Sequence, residues 1–117
     1  MTSRTLARKV AKAASDRKAI DIVVLDFRKH LSFTDFFVIC SGTSDRHVQA
    51  ITDAIEDDLR KQKSKPISCE GYRFGHWTVL DYGNVVAHVF HQEERQHYRL
   101  EQLWHDMPKI FFKGINA

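Results

Sequence analysis

Residues 77–95 read WTVLDYGNVVAHVFHQEER. Gly83 and Asn84 separate two runs rich in β-branched and aromatic residues, and both tolerate the positive φ of a two-residue hairpin turn. The spacing predicts Tyr82 opposite Val85, which sets Asp81 against Val86, Leu80 against Ala87, Val79 against His88, Thr78 against Val89 and Trp77 against Phe90. Alternation then places Thr78, Leu80, Tyr82, Val85, Ala87 and Val89 on one face, and Trp77, Val79, Asp81, Val86, His88 and Phe90 on the other. A hairpin with one wet face carries a polar set there. Here both faces are largely apolar, so both need a cover. The closing residues, HQEER, lead into a charged helix.

The rest of the chain limits what that cover can be. With 117 residues, 28% charged and 43% apolar, there is enough for one core and too little for two. Residues 1–117 read as a single domain, with 105–117 as a C-terminal extension. No apolar run approaches the ~20 residues that span a bilayer, and the N-terminus lacks the apolar stretch of a secretory signal. Its Arg- and Lys-rich, acid-poor start resembles a transit peptide, but Leu6, Val10, Ala13 and Ala14 fall at helical spacing and predict a folded first helix. Cys40 and Cys69 lie in apolar strand-like segments and read as buried, reduced thiols. A cytoplasmic location without a membrane partner is the expectation.

Residues 20–27, IDIVVLDF, read as a central strand, and residues 36–41, FFVICS, as a second. The connection is shorter than a parallel crossover needs, so the two should be antiparallel. Gly42 ends the second strand, Thr43 or Ser44 can cap a helix, and Val48, Ile51, Ile55 and Leu59 form its apolar stripe until Lys65-Pro66. A short third strand at 67–71 should run parallel to the second. After the hairpin, Leu100, Leu103, Trp104 and Met107 predict a last helix closed by Pro108. The expected fold is α/β, one mixed five-stranded sheet with about three helices in the order α-β-β-α-β-β-β-α.

Three helices cover one sheet face but not both. The surplus apolar surface is therefore a contact surface, unless the tail with Ile110, Phe111 and Phe112 folds back over it. Asp81 and His88 favour the Trp77 face as the contact surface, because a dry core rarely holds both.

Catalytic and metal readings fare worse. His88 and His91 have zinc-like spacing, but on a strand they point to opposite faces. Glu94 and His97 match one half of a di-iron motif whose other half is missing. No cofactor and no metal is expected. The segment TDFFVICSGTSDRHVQAI, residues 34–51, resembles the strand-Gly-Ser-helix element of nucleotidyltransferases. The next strand offers only Glu70 where two metal-binding acids are needed, so no catalytic residues are assigned. The net charge of +3 is concentrated in two clusters, Arg4, Arg8, Lys9, Lys12, Arg17 and Lys18 near the start and Arg60, Lys61, Lys63 and Lys65 later. Such clusters suit phosphate-rich surroundings, although most merely face solvent.

Three motifs carry a family resemblance. They are D-x-x-x-LD from Asp21, TD-x-F-x-ICSGTS-x-RHV-x-A-I from Thr34, and W-x-VLDYG-x-VV-x-HVF-x-x-E-x-R-x-x-Y-x-LE-x-LW from Trp77. Together, over Leu6 to Trp104, the chain resembles the ribosomal silencing factor family, also called Iojap-like. The resemblance implies a nucleotidyltransferase-like topology without enzymatic activity. It implies a translational repressor that binds the large ribosomal subunit through its ribosomal protein number fourteen, near ribosomal RNA, and blocks joining of the small subunit. Trp77, Val86 and Phe90 are then the anchor, Asp81 and Glu93 the charge complement to a basic partner, and Tyr82 and His88 accessories. Thr34, Asp35, Gly42, Thr43, Ser44 and Arg46 organise the strand-to-helix turn. Pairing of two free copies through the same patch is also expected. The alternatives are a nucleotide-binding or nucleotidyltransferase-like enzyme and a general RNA-binding protein of ribosome assembly. The tail at Phe111, Phe112 and Lys113 lies beyond the matched motifs and receives no role.

Overall fold

Thr2 starts the first helix by accepting a hydrogen bond from the Thr5 N–H at 3.1 Å, which satisfies one of the orphan donors of a helix N-terminus. The helix that follows, α1, spans Ser3–Asp16 and buries Leu6, Val10, Ala13 and Ala14 as its spacing requires. The computed structural model describes residues 1–30 and 33–117. Along it follow β1 (Ile20–Asp26), β2 (Phe36–Gly42), α2 (Asp45–Lys61), β3 (Ser68–Glu70), β4 (Trp77–Asp81), β5 (Val85–His91), α3 (Gln92–Tyr98), a single turn α4 (Leu100–Leu103) and β6 (Lys109–Ile110). The turn expected between the first two strands includes residues 31 and 32, which lie outside the described residues.

The sheet has six strands, in the order β3-β4-β5-β2-β1-β6. The β4–β5 register is the one expected from the Gly83-Asn84 turn, from Trp77 against Phe90 to Asp81 against Val86. Gly83 holds φ +86°, the sign that the first turn position needs, and Asp81 Oδ1 accepts from its N–H at 2.7 Å. β1 and β2 are antiparallel as expected. The parallel neighbour of β2 is β5, however, and not β3. β3 keeps the expected direction but lies at the edge, paired antiparallel to β4.

The sixth strand corrects the count of five. Lys109 and Ile110 pair with Leu25 and Val24, and Pro108, expected only as a helix stop, accepts from the Asp26 N–H at 2.8 Å. The last helix is also not continuous. Arg99 adopts φ +51° and ψ +45°, ending α3 and leaving Leu100–Leu103 as a separate turn. A non-glycine residue in this region breaks the helical hydrogen-bond ladder and redirects the chain.

Two apolar clusters lie on the two faces of the sheet. On one, α1 and α2 cover Phe36, Val38, Cys40, Leu80, Val85, Ala87 and Val89. On the other, Leu25, Phe37, Ile39, Val86 and Phe90 are joined by Leu100, Trp104 and Met107 from the segment after Arg99. The tail does not cover this second face. Phe112 instead enters the helix-side cluster and is 6% exposed.

Cys40 is buried, and burial pushes its thiol up to about 12. Cys69 corrects the expectation of two buried thiols: it is exposed on the edge strand β3. Partial desolvation and the nearby Glu56 carboxylate raise it to about 11, which leaves little reactive thiolate at neutral pH.

Candidate docking face

β4 and β5 lay Trp77 flat on Phe90, with ring centroids 4.8 Å apart and planes at 22°. Tyr98, at the last turn of α3, packs against the same indole at 4.6 Å and lies 6.3 Å from the Phe90 ring. Beyond them, Phe37 contacts both His88 at 4.6 Å and Trp104 at 5.1 Å, and Phe27 meets Trp104 edge-on at 5.4 Å. Such offset and edge-on ring pairs contribute about 0.5–1.5 kcal/mol each beyond area burial. The result is one rigid aromatic ledge across the face of the sheet that α1 and α2 leave open.

Depth within the ledge divides the expected anchor residues. Phe90, Val86 and His88 are buried within the chain. Trp77 and Asp81 are half-buried, and Glu93 is exposed. Phe90 and Val86 therefore support the surface rather than form it. Facing solvent are the Trp77 edge, Tyr98 at 47% exposure and Phe33, 75% exposed and packed 5.8 Å from Phe37. Tyr98 was not among the expected site residues; its place three residues after Arg95 in the last motif was the available signal.

Tyr82 belongs elsewhere. It is buried in the helix-side cluster, and its hydroxyl has no hydrogen-bond partner among the described residues. Burial, aided by Glu56, raises its phenol well above the ordinary range. It lies on the opposite face from Trp77, so it does not join the ledge.

His88 is the polar centre of the ledge. The Trp77 indole Nε1–H donates to His88 Nδ1 at 3.2 Å, and Nε2 is buried without a partner among the described residues. Burial lowers the imidazole to about 4, so the ring is neutral at physiological pH.

Behind the ledge, Arg95 ties α3 to the sheet. Its guanidinium donates to Glu101 Oε1 at 2.7 Å and to Ser41 Oγ at 3.0 Å. These groups border a polar cavity of about 880 Å³ that Asp21, Glu93 and Arg99 also line. Glu93 thus sits at the cavity rim, away from the Asp81 end of the hairpin.

The strand-to-helix turn is occupied by its own contacts. Ser44 caps α2 by accepting from the His47 N–H at 3.1 Å, and Thr43 N–H donates to His47 Nδ1 at 2.9 Å. His47 Nε2 in turn meets the Arg17 carbonyl at 2.7 Å, joining the end of α1 to the start of α2. A Cβ on Gly42 would stand 2.9 Å from the Val48 nitrogen, so the close approach of strand and helix requires glycine. Asp35 ties the start of β2 to the hairpin turn, its N–H donating to the Asn84 carbonyl at 3.0 Å. Thr34 is buried beside it, and Arg46 is exposed. The Thr43 N–H, a donor that a phosphate would use, is already engaged by His47 Nδ1. Among the described residues, no group of three or more His, Cys, Asp or Glu side chains is placed to hold a metal, and no helix is long and apolar enough to cross a membrane.

Comparison with known proteins places this geometry in a family. The family model described as "Ribosomal silencing factor during starvation" matches residues 1–117. A ribosomal silencing factor of Halalkalibacterium halodurans is 36% identical over 115 residues, 98% of each chain. One of Bacillus subtilis is 39% identical over 108 residues, 92% of each. A mouse protein named for mitochondrial assembly of the ribosomal large subunit is 37% identical over 89 residues, 74% of this chain and 39% of its own. A crystal structure of a Chromobacterium violaceum protein superposes with a TM-score of 0.87 at 29% identity, over 100% of this chain and 97% of that one. A family match along the whole chain, with full-length relatives at this identity, leaves one assignment: the chain belongs to the ribosomal silencing factor family.

Proposed function

We propose that this chain represses translation by docking its open sheet face on the large ribosomal subunit, against ribosomal protein number fourteen, and so occupying space that the small subunit must enter. The observation that carries the reading is the aromatic ledge in which buried Phe90 backs a half-buried Trp77 and an exposed Tyr98, on a face that no helix fully covers. Buried aromatics flanked by partly exposed ones are typical anchors of protein interfaces. Asp81 and Glu93, at opposite ends of the hairpin, supply charge complementary to a basic ribosomal protein. The mechanism is steric and uses no bond-making step. In the free protein, the same ledge is the surface on which a second copy would pair, in the cytoplasm where its target resides.

Co-sedimentation of purified chain with large subunits tests the docking step. The chain should migrate with the large subunit, and Trp77→Ala should remove it from that fraction while remaining folded. Migration of Trp77→Ala equal to that of the unsubstituted chain sinks the assignment of the face.

A further inference from the structure

At the β6 edge, on the helix side of the sheet and away from the Trp77 ledge, the first turns of α1 meet the C-terminal tail. Arg4, Thr5, Arg8, Phe111, Phe112 and Lys113 line a concavity of about 350 Å³ there. Its three cations come from opposite ends of the chain and no acid lines it. None of the three forms an ion pair among the described residues, in contrast to Lys12, which is paired with Asp16 at 2.8 Å.

The aromatic pair in the concavity is divided. Phe112 is buried, and the Arg4 guanidinium lies 5.3 Å from its ring centroid, which holds that charge in place at the rim. Phe111 is 62% exposed. It is nevertheless carried on a fixed segment: Ile110 is in β6, and Asn116 Oδ1 accepts from the Phe112 N–H at 2.7 Å while Asn116 Nδ2 donates to the Ile110 carbonyl at 3.0 Å. An exposed ring on a braced backbone beside three unpaired cations is the arrangement that grips an RNA strand, with charges on the phosphates and a ring for an unstacked base.

We propose that this concavity is an RNA-binding site, and, resting on the docking reading above, that its ligand is RNA of the large ribosomal subunit. Arg4, Arg8 and Lys113 contact backbone phosphates, and Phe111 stacks on an unpaired base. The chain then holds the subunit at two separate places, an apolar one that salt hardly affects and an ionic one that salt weakens.

The test is a salt titration of full-length chain on two probes, intact large subunits and protein-free large-subunit RNA. Three neutralised phosphates contribute about 2 to the slope of log affinity against log salt for a single strand. The triple variant Arg4→Gln, Arg8→Gln, Lys113→Gln should flatten the slope by about 2 on both probes, and Phe111→Ala should weaken RNA binding about tenfold with the slope retained. Neutralising the other cluster, at Arg60, Lys61 and Lys63, should leave the slope unchanged. The inference is overturned by an unaltered slope in the first triple variant, or by a loss of slope in the second instead. Failure of the unsubstituted chain to bind subunits would refute the docking reading alone, because the RNA probe still decides this one.

Discussion

Trp77 Nε1–H donates to His88 Nδ1 at 3.2 Å, and because an indole nitrogen only donates, this bond assigns the imidazole proton to Nε2. That Nε2–H is buried with no acceptor among the described residues. The ledge therefore rests on a neutral histidine held in one tautomer by the residue proposed to meet the partner.

A pH dependence of stability follows from this arrangement. Burial lowers His88 to about 4 from its ordinary 6.5, so between these values the unfolded chain takes up a proton that the folded chain refuses. Stability then falls as pH drops through that window, by about 3 kcal/mol in full. Denaturant titrations from pH 7 to pH 4 should show this loss, and His88→Phe should remove most of its steepness.

Arg95 should matter to the placement of the ledge rather than to its surface. Arg95→Ala removes the bonds to Glu101 and Ser41 and leaves a half-buried carboxylate, at a cost of about 2 kcal/mol. Arg95→Lys should restore little, because an ammonium cannot reproduce the guanidinium fork. Denaturation midpoints check both variants, and Tyr98 fluorescence should report the loosened α3.

The tail offers a paired comparison. Phe112→Ala empties a buried site and should cost about 3 kcal/mol. Phe111→Ala, one residue away and exposed, should change stability by less than about 0.5 kcal/mol. Equal effects in thermal unfolding would contradict the integration of β6 into the fold.

Gly42→Ala tests the strand-to-helix turn. The added methyl would meet the Val48 nitrogen at 2.9 Å, backbone that cannot yield, so a loss of about 1–3 kcal/mol is expected. For a domain of this size each 1 kcal/mol lowers Tm by roughly 4 °C.

The hairpin register was legible because a Gly-Asn turn between alternating strands permits one alignment only, and Trp77 to Phe90 follows from it. The faces were legible for the same reason. Depth was not: alternation says that Phe90 shares a face with Trp77, but its burial depends on Tyr98 and the segment after Arg99, remote contacts without a local signal. The break at Arg99 was hidden because Leu100, Leu103 and Trp104 keep helical spacing whether or not the backbone is continuous. β6 has two residues, too few for any periodicity, and its pairing is set by β1. Cys69 illustrates a further limit, since an edge strand has the composition of an inner one with half the cover. The cap at Ser44 could be read directly because it is local, whereas the close approach at Gly42 shows only once Val48 is folded against it.

Subunit joining tests the central claim most directly. Separated subunits, mixed at a magnesium concentration that favours association, are followed by light scattering with the large subunit preincubated with the chain. The account predicts suppressed joining that saturates with added chain, and joining restored by Trp77→Ala, whose hot-spot loss should exceed about tenfold in affinity. Undiminished joining with the unsubstituted chain bound to the large subunit would contradict the account.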